Sequence, residues 1–412
     1  MTSPRAALGR VFGSLAVRNF RLFFVGQAVS LVGSWAQTTG VSWLVLKLTG
    51  SPLALGTVTA LQFVPVALLT LFGGVLADRA PKRRLLVAVQ SIALVQATVL
   101  GLLVAWDVVE LWHVYALAAL GGAVMAIEVP TRQAFVIELV GREMLPNAVA
   151  LHSSIFSAAR VLGPGLGGLA IAAFGTEATF LANAVSFLAV ILAYALMRSE
   201  ELHPSGPSPS DAGVLHQVGQ ALAYSWRTPP VMLVFVLIAF LGTFAFNFTV
   251  VVPLVAEFVL RVGPEKFGLL SSCLGLGSVV AALTQAIVAR ASTRVLLGAA
   301  FAFVGCVGLV ALSRSYLLTG ALLFAVGLGA VTFTTNANTL LQLTVPDELR
   351  ARVMSVYFFL FAGSTPIGGW FTGVVAEHWS VPAAVAIDAG LAGLGCLVAL
   401  GYRGRHAAAF TT

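Results

Sequence analysis

The sequence predicts an all-α membrane protein with twelve transmembrane helices in two six-helix bundles. The composition, the spacing of the apolar runs and the placement of the basic residues support this fold class. Of 412 residues, 59% are hydrophobic and only 9% are charged, whereas soluble globular chains carry roughly 25% charged residues. Twelve spans of about 20 residues need about 240 positions that tolerate lipid, and the hydrophobic fraction supplies them. A soluble fold would have too few charges to cover such a core.

Apolar runs separated by short polar breaks define the individual helices. The predicted spans cover 20–46, 53–77, 85–106, 112–134, 147–173, 177–197, 230–256, 266–289, 295–313, 316–341, 353–376 and 381–402.

A longer polar stretch, 199–229, follows the sixth predicted span. Its first part is rich in Pro, Ser and Gly, which is typical of a flexible linker. Its second part, from Val214 to Trp226, is amphipathic and is expected on the inner membrane surface. The sequence therefore predicts an N-terminal six-helix bundle over 1–198, this linker, and a C-terminal six-helix bundle over 230–412.

The basic residues predict the orientation in the membrane. The net charge is +7, but the Lys and Arg residues lie singly or in short groups between apolar runs and form no stripe suited to nucleic acid. Eighteen of the 23 fall in the predicted inner segments and four in the outer loops. This bias follows the positive-inside rule and predicts a multi-pass protein with both termini in the cytoplasm.

The sequence carries no recognisable catalytic or cofactor-binding signature. The three cysteines lie inside apolar runs without CxxC spacing, and no phosphate-binding loop, zinc-protease motif or nucleophile elbow is present. We therefore expect no enzyme activity, no metal, no cofactor and no intrinsic ATP drive.

Two pairs of motifs suggest that the two halves are a weak repeat. Gly56 and Gly268 precede the second and eighth spans, and Pro164 and Pro366 lie in the fifth and eleventh spans within similar Gly-rich stretches. Parallel six-helix repeats of this kind build many secondary transporters, which work by rocking one half against the other.

The break between the second and third spans carries a charged motif. It reads Gly74-Val-Leu-Ala-Asp78-Arg79-Ala-Pro-Lys82-Arg83-Arg84. This resembles the signature loop of the major facilitator superfamily, with Pro81 where a Gly is common. The resemblance implies a cytoplasmic gating loop, in which Asp78 at a helix end pairs with basic side chains. The alternative is a solvated basic loop that only sets the topology.

The fifth span contains Gly163-Pro164-Gly-Leu-Gly167-Gly168. This stretch resembles the fifth-helix motif of facilitator-type antiporters, although Ala159 replaces the Gly that usually lies four residues before the Gly-Pro. Small residues allow close helix packing, and Pro allows bending. The resemblance implies outward transport.

A broader resemblance covers most of residues 15–400. It rests on Pro130-Thr-Arg132-Gln-Ala-Phe, on Arg160-x-x-Gly-Pro, and on Val345-Pro-Asp-Glu-Leu-Arg350. These stretches are similar to the branch of the superfamily that holds macrolide-efflux proteins and enterobactin exporters. The branch implies export of drugs, macrolides or siderophores by alternating access, with protons as the coupling ion and a monomer in the lipid bilayer.

Polar side chains inside three predicted spans are candidates for a substrate cavity. They are Gln27, Ser34, Gln37 and Thr38 in span one, Thr243 and Asn247 in span seven, and Thr335, Asn336 and Thr339 in span ten. By resemblance, spans one, four, seven and ten line the central cavity. The alternative is hydrogen bonding between packed helices, which uses the same residue types.

Three ionisable residues lie at membrane depth, where charge is costly and often functional. Glu128 in span four, Arg160 in span five and Asp388 in span twelve are the candidates for proton coupling. Glu128 is preferred, and its alternative role is that of a structural charge partner for Arg160 or Arg132.

The sequence as a whole indicates a secondary transporter that exports amphiphilic small molecules, with proton antiport as the expected drive. Two alternatives stay open. The same fold could import a nutrient or metabolite, or it could serve as a membrane sensor that transports nothing.

Overall fold

The computed structural model describes residues 12–203, 214–288 and 291–410, and this part of the chain is α-helical without a strand. Residues 204–213, the Pro/Ser/Gly part of the predicted linker, lie outside it. The α-helices are α1 (Arg18–Thr49), α2 (Pro52–Arg79), α3 (Lys82–Ala105), α4 (Leu111–Phe174), α5 (Glu177–Ala195), α6 (Val214–Arg227), α7 (Pro229–Phe244), α8 (Phe248–Leu254), α9 (Pro264–Val288), α10 (Thr293–Leu312), α11 (Tyr316–Thr344), α12 (Asp347–His378) and α13 (Val381–Arg405). The all-α membrane fold is thereby confirmed.

Ten of the described helical segments are long and apolar enough to cross a membrane. One of them, α4, has 64 residues, which at about 1.5 Å per residue is three times the thickness of a hydrocarbon core. It is therefore long enough for two spans and a helical segment that joins them. Helix α1, with 32 residues, is long enough but is not among the ten. The count of twelve spans stays a prediction.

The expected loop between spans four and five is helical, which corrects the sequence analysis. Helix α4 runs through 135–146 and is interrupted only at Gly141, where φ is 70° and ψ is 175°. Phe135 and Leu139 on this stretch are fully buried against Phe20 and Tyr194. Burial of this apolar face favours a continued helix, and Gly141 supplies the kink because glycine adopts positive φ without steric cost.

The seventh span is broken, whereas the sequence predicted one continuous helix. Helix α7 ends at Phe244, α8 starts at Phe248, and a π-helical turn follows over Val255–Leu260. At the break, the backbone N–H of Phe246 donates to the Leu241 carbonyl, five residues back. The Asn247 amide side chain donates to the Thr243 carbonyl (2.7 Å), which in a regular helix accepts the backbone N–H of Asn247.

The chain divides into two compact units. The first comprises Met1–Leu44 and Pro65–Pro209, and the second comprises Val45–Val64 and Ser210–Thr412. The junction of α1 and α2 therefore belongs to the second unit by its contacts, although it lies in the first half of the sequence.

Within the second unit, the N-terminal end of α2 packs closely on α12. A Cβ atom at Gly56 would lie 2.6 Å from the Gly369 carbonyl oxygen and 3.2 Å from Gly373 Cα. The Ser51 hydroxyl donates to Glu377 Oε2 over 2.7 Å, and the backbone N–H of Leu53 donates to the same oxygen over 3.2 Å. Two helix backbones thus meet where side chains are absent, and a carboxylate caps the free N–H groups of α2.

The amphipathic segment of the linker forms α6, which packs on α12. Ala221 and Ser225 are buried, whereas Trp226 is 74% exposed. The Tyr224 hydroxyl donates to the Thr344 carbonyl (3.4 Å), and the Arg352 guanidinium donates to the Gln220 side chain. One face of α6 therefore contacts protein, and the exposed Trp226 is of the type that anchors at a membrane interface.

Candidate functional site

A buried chain of polar side chains connects α1, α4 and α5 in the first unit. Arg132 lies at its centre: its Nε is 3.3 Å from Glu128 Oε1, and its Nη1 donates to Gln27 Oε1 over 2.9 Å. Gln27 Nε2 donates in turn to the Tyr194 hydroxyl (3.4 Å). The structure therefore pairs Glu128 with Arg132, one of the two partners that the sequence left open, and not with Arg160.

His152 lies near this network and was not singled out from the sequence. Its ring stacks on Phe23, with centroids 5.9 Å apart and an interplanar angle of 27°. Its Nε2 atom is buried and has no hydrogen-bond partner within the part of the chain that the structure describes. A lone His within an apolar run carries no signal that separates a functional role from a packed core residue.

A second polar network joins α1, α3 and α5 through Gln37. Gln37 Nε2 donates to Gln96 Oε1 (3.3 Å), and Asn183 Nδ2 donates to Gln37 Oε1 (2.8 Å). Gln96 and Asn183 are buried, and neither was predicted. The Thr38 hydroxyl donates to the Ser34 carbonyl in its own helix (3.0 Å). Gln37 therefore connects three helices by hydrogen bonds.

The antiporter-like motif of α4 packs directly on α1. A Cβ atom at Gly163 would meet the Trp35 side chain and lie 2.9 Å from the Val32 carbonyl oxygen. A Cβ atom at Gly167 would lie 2.9 Å from Ala36 Cα. Pro164 and Gly168 are buried beside them. Glycine is needed here because the two backbones approach each other closely.

Arg160, one turn before this motif, faces an aromatic ring. Its guanidinium carbon is 5.9 Å from the Trp35 ring centroid, and the edge of the Trp35 indole meets Phe156, with centroids 6.1 Å apart. No carboxylate pairs with Arg160 in the described part of the chain. A cation over an indole face is stabilised by the ring quadrupole.

The basic residues of the signature loop are tied to the first unit. Lys82 Nζ forms a salt bridge with Glu138 Oε1 (2.9 Å). Arg83 donates to the Ser199 hydroxyl (2.7 Å) and to the Ala195 carbonyl (2.9 Å). The exposed members of the loop are Asp78, Arg79 and Arg84. Lys82 and Arg83 thus hold the start of α3 against α4 and the end of α5.

Phenylalanine rings surround the break of the seventh span in the second unit. Phe246 contacts rings from three other helices: Phe303 at 5.0 Å, Phe361 at 5.1 Å and Phe333 at 6.4 Å between centroids. Phe248, on the other side of the break, lies 5.7 Å from Phe246. The break is therefore lined by phenylalanine rings, and polar side chains lie next to these rings.

These polar groups come from α7, α12 and α13. The Thr243 hydroxyl donates to the Ala239 carbonyl (2.6 Å). Asn247 Nδ2 donates to Thr372 Oγ1 (3.3 Å), and Thr372 Oγ1 donates to Asp388 Oδ2 (2.6 Å). The sequence-predicted residues Asn247 and Asp388 are thus brought together by Thr372. Thr372 was missed because a Thr within an apolar helix usually bonds to its own backbone.

The polar residues of span ten lie on α11, where Asn336 contacts α9. Asn336 is 1% exposed, and its Nδ2 donates to Gln285 Oε1 (3.2 Å) and to the Thr332 carbonyl (2.8 Å). The Thr339 hydroxyl donates to the carbonyl of Thr335, and both residues are half-buried. Asn336 therefore takes part in helix packing, while the two threonines keep partial exposure.

Among the described residues, no group of three or more His, Cys, Asp or Glu side chains is arranged to bind a metal ion.

Comparison with known proteins identifies the family. The family described as transmembrane secretion effector matches residues 10–409. The chain is 25% identical over 378 residues to the staphyloferrin A transporter of Staphylococcus aureus, covering 88% of this chain and 90% of that protein. It is 28% identical to the multidrug efflux pump Tap of Mycolicibacterium fortuitum, covering 81% and 83%. It is 21% identical to macrolide efflux protein A of Streptococcus pyogenes, covering 87% and 91%.

Solved structures agree on the fold. A bacterial homologue of the human lysosomal transporter Spinster, in an inward-facing and unoccupied conformation, matches with a TM-score of 0.72 at 13% identity, covering 100% of this chain and 98% of that one. A bacterial homologue of the iron transporter ferroportin, also inward-facing, gives 0.72 at 16% identity, covering 93% and 98%. At such identities the likeness shows the fold alone. Together with the family match, it confirms the resemblance seen in the sequence motifs.

Proposed function

Because the chain belongs to the transmembrane secretion effectors of the major facilitator superfamily, we propose that this membrane transporter exports amphiphilic small molecules across the bacterial cytoplasmic membrane. Two relatives that align over more than 80% of the chain, the multidrug efflux pump Tap and macrolide efflux protein A, support this direction. A third relative of similar coverage is the staphyloferrin A transporter. We place drugs, macrolides and siderophores in the substrate range.

The broken seventh span is the observation that supports this function best. Half-buried Phe246 and Phe248 present aromatic rings beside Thr243 and Asn247. Small-molecule sites are mostly apolar and aromatic, with a few polar groups that orient the ligand. Discontinuous helices also form the substrate and ion sites of many transporters, because their free backbone groups face the ligand. Such a surface suits bulky, weakly polar molecules.

The transport cycle we propose is alternating access driven by proton exchange. Both termini lie in the cytoplasm, as the Lys and Arg distribution predicts. The signature loop with Asp78 contributes to the cytoplasmic gate. The glycine motif of α4 allows the part of α4 that follows Gly141 to pack closely on α1. Two buried acids, Glu128 and Asp388, are the candidates for the group that binds the exchanged proton.

Dye and macrolide accumulation in cells tests the function. Cells with the protein should accumulate less ethidium and less erythromycin than cells without it, and an uncoupler should remove the difference. Raised accumulation would identify uptake instead. Equal accumulation under every condition, across a broad panel of probes, would refute the proposal.

Two phenylalanine variants test the site. Phe246→Ala removes the ring at the centre of the cluster and should weaken efflux of aromatic dyes. Phe359→Ala is the matched control, because its side chain is 63% exposed on α12 and lies outside the cluster. Equal efflux by the two variants would remove the aromatic cluster from the substrate site.

A further inference from the structure

Three buried polar side chains form a continuous chain from α13 to the break of the seventh span. Asp388, Thr372 and Asn247 are 1%, 0% and 2% exposed. Asp388 lies seven residues, about 10 Å, from the start of α13. Its Oδ1 atom and the Asn247 Oδ1 atom are buried and have no hydrogen-bond partner among the described residues. Buried polar atoms without a partner are costly, so their presence here calls for an explanation.

Thr372 is the one hydrogen-bond partner of Asp388 in the described part of the chain. The elements packed against α13 are α7, α8, α10, α12, the π-helical turn and the C-terminal turn Ala407–Phe410. The titratable or charged groups on these elements and on α13 itself are Arg294, Cys306, Asp347, Glu348, Arg350, Arg352, Tyr357, Glu377, His378, Glu257, Cys396, Tyr402, Arg403 and Arg405. Since none of these bonds to Asp388, no cation neutralises its carboxylate.

The Thr372 hydroxyl has a single proton, so the hydrogen bonds among these three side chains depend on whether Asp388 is protonated or ionised. Thr372 Oγ1 lies 2.6 Å from Asp388 Oδ2 and 2.8 Å from the Gly368 carbonyl oxygen, and it can donate to only one of them at a time. An ionised Asp388 only accepts, so Thr372 must donate to it and the bond to Gly368 is lost. A protonated Asp388 donates to Thr372, and the Thr372 proton returns to Gly368.

The ionised state also changes what Asp388 needs from its surroundings. In that state the negative charge extends to Oδ1, which accepts no hydrogen bond from the described residues. An unpaired buried charge is unfavourable, so ionisation requires that α12 and α13 move to admit water or a donor. In the protonated state Thr372 accepts from both Asp388 and Asn247 and donates to Gly368, whereas in the ionised state it accepts from Asn247 alone and its bond to Gly368 is lost.

We propose that Asp388 is the proton-binding group of the transporter, and that Thr372 and Asn247 transmit its protonation state to the break of the seventh span. The carboxylate takes a proton from water on the side to which it opens, forming the Oδ2–H bond, and returns it to water on the other side. Asn247 lies between α7 and α8, so a change at Thr372 reaches the proposed substrate surface directly. The inference rests on the proposed export function.

Reconstituted full-length protein tests this assignment, with ethidium as the probe. In proteoliposomes a pH gradient should drive uphill ethidium transport by the wild type. Asp388→Asn should lose this drive at least tenfold while keeping ethidium exchange in the absence of a gradient. Ethidium binding by purified wild type should change with pH, and binding by Asp388→Asn should not.

A matched pair of Thr372 variants and one acid variant serve as controls. Thr372→Val should uncouple transport, whereas Thr372→Ser keeps the hydroxyl and should behave as the wild type. Glu257→Gln removes another acid of the same unit and should remain coupled.

The outcomes separate this inference from the proposed function. A coupled wild type with an equally coupled Asp388→Asn would overturn the assignment and leave proton-driven export standing. A drive by sodium in place of protons would overturn it as well. A wild type that moves neither ethidium nor any other probe of the accumulation panel under any gradient would remove both.

Discussion

Replacing Glu128 by Gln removes the negative partner of Arg132 and leaves a buried guanidinium with its bond to Gln27. The two charged side chains are only 13% and 12% exposed. Breaking a buried ion pair by removing one partner costs about 3–5 kcal/mol. The Glu128–Arg132 separation is 3.3 Å, and the Gln27 bond remains, so we expect a loss of about 2–3 kcal/mol in the free energy of unfolding. This corresponds to about a 30- to 140-fold change in the unfolding constant.

A double-mutant cycle isolates the pair. Arg132→Gln alone leaves Glu128 unpaired, whereas the double variant with Glu128→Gln contains no buried charge at this place. The double variant should therefore be less destabilised than the sum of the single variants by about 1–2 kcal/mol. Glu200→Gln, on an exposed turn, is the control and should lie within about 0.5 kcal/mol of the wild type.

The assay is unfolding of the purified protein in mixed micelles with increasing SDS, followed by circular dichroism. Additive effects in the cycle, or a Glu128→Gln variant as stable as the wild type, would refute the view that Glu128 is a charge partner of Arg132. Loss of proton-driven transport in a Glu128→Gln variant of normal stability would instead restore Glu128 as the coupling acid.

Three further variants test other contacts. Gly167→Ala places a methyl group against the backbone of α1 and should lower the free energy of unfolding by about 1–3 kcal/mol. Gly74→Ala, whose new methyl group meets open space, is the control and should not lower it. Equal apparent Tm values of the two variants in detergent would contradict the close approach of α4 and α1. Phe303→Ala empties a fully buried position and should cost about 3–5 kcal/mol, far more than Phe359→Ala in the same SDS titration. Asp78→Asn should slow ethidium turnover without lowering the apparent Tm, and unchanged rates would reduce the loop to a topology signal.

The helices were predictable because lipid imposes a simple rule on the sequence. Long apolar runs must form helices, since backbone groups have no other partners in the membrane. The amphipathic α6 was equally visible. The segment around Gly141 was predicted to be a loop because it is shorter and more polar than a membrane span. It is nevertheless apolar enough to continue the helix, and the structure shows a kinked helix there.

The site was only partly predictable. The sequence analysis named Arg160 and Arg132 as alternative charge partners of Glu128, and the structure favours Arg132, which lies four residues on along the same helix face. Asn247 and Asp388 were selected for their polarity at membrane depth, but their link through Thr372 depends on how three distant helices pack. At the break of the seventh span, the Asn247 side chain bonds to the Thr243 carbonyl in place of the backbone N–H. No pattern in the sequence predicts this bond.

The contact between α2 and α12 has a consequence for the speed of transport. In the proposed cycle, helices from the two halves of the sequence must separate and meet again at every turnover. Between Gly56, Gly369 and Gly373 there are no side chains to interlock, so parting requires no change of rotamer. The bonds from Ser51 and the Leu53 backbone N–H to Glu377 must be exchanged for bonds to water, which costs about 1.5–3 kcal/mol for each hydrogen bond to a charged group. The contact can therefore close the pathway in one state, and these two hydrogen bonds contribute to the barrier that sets how fast it opens.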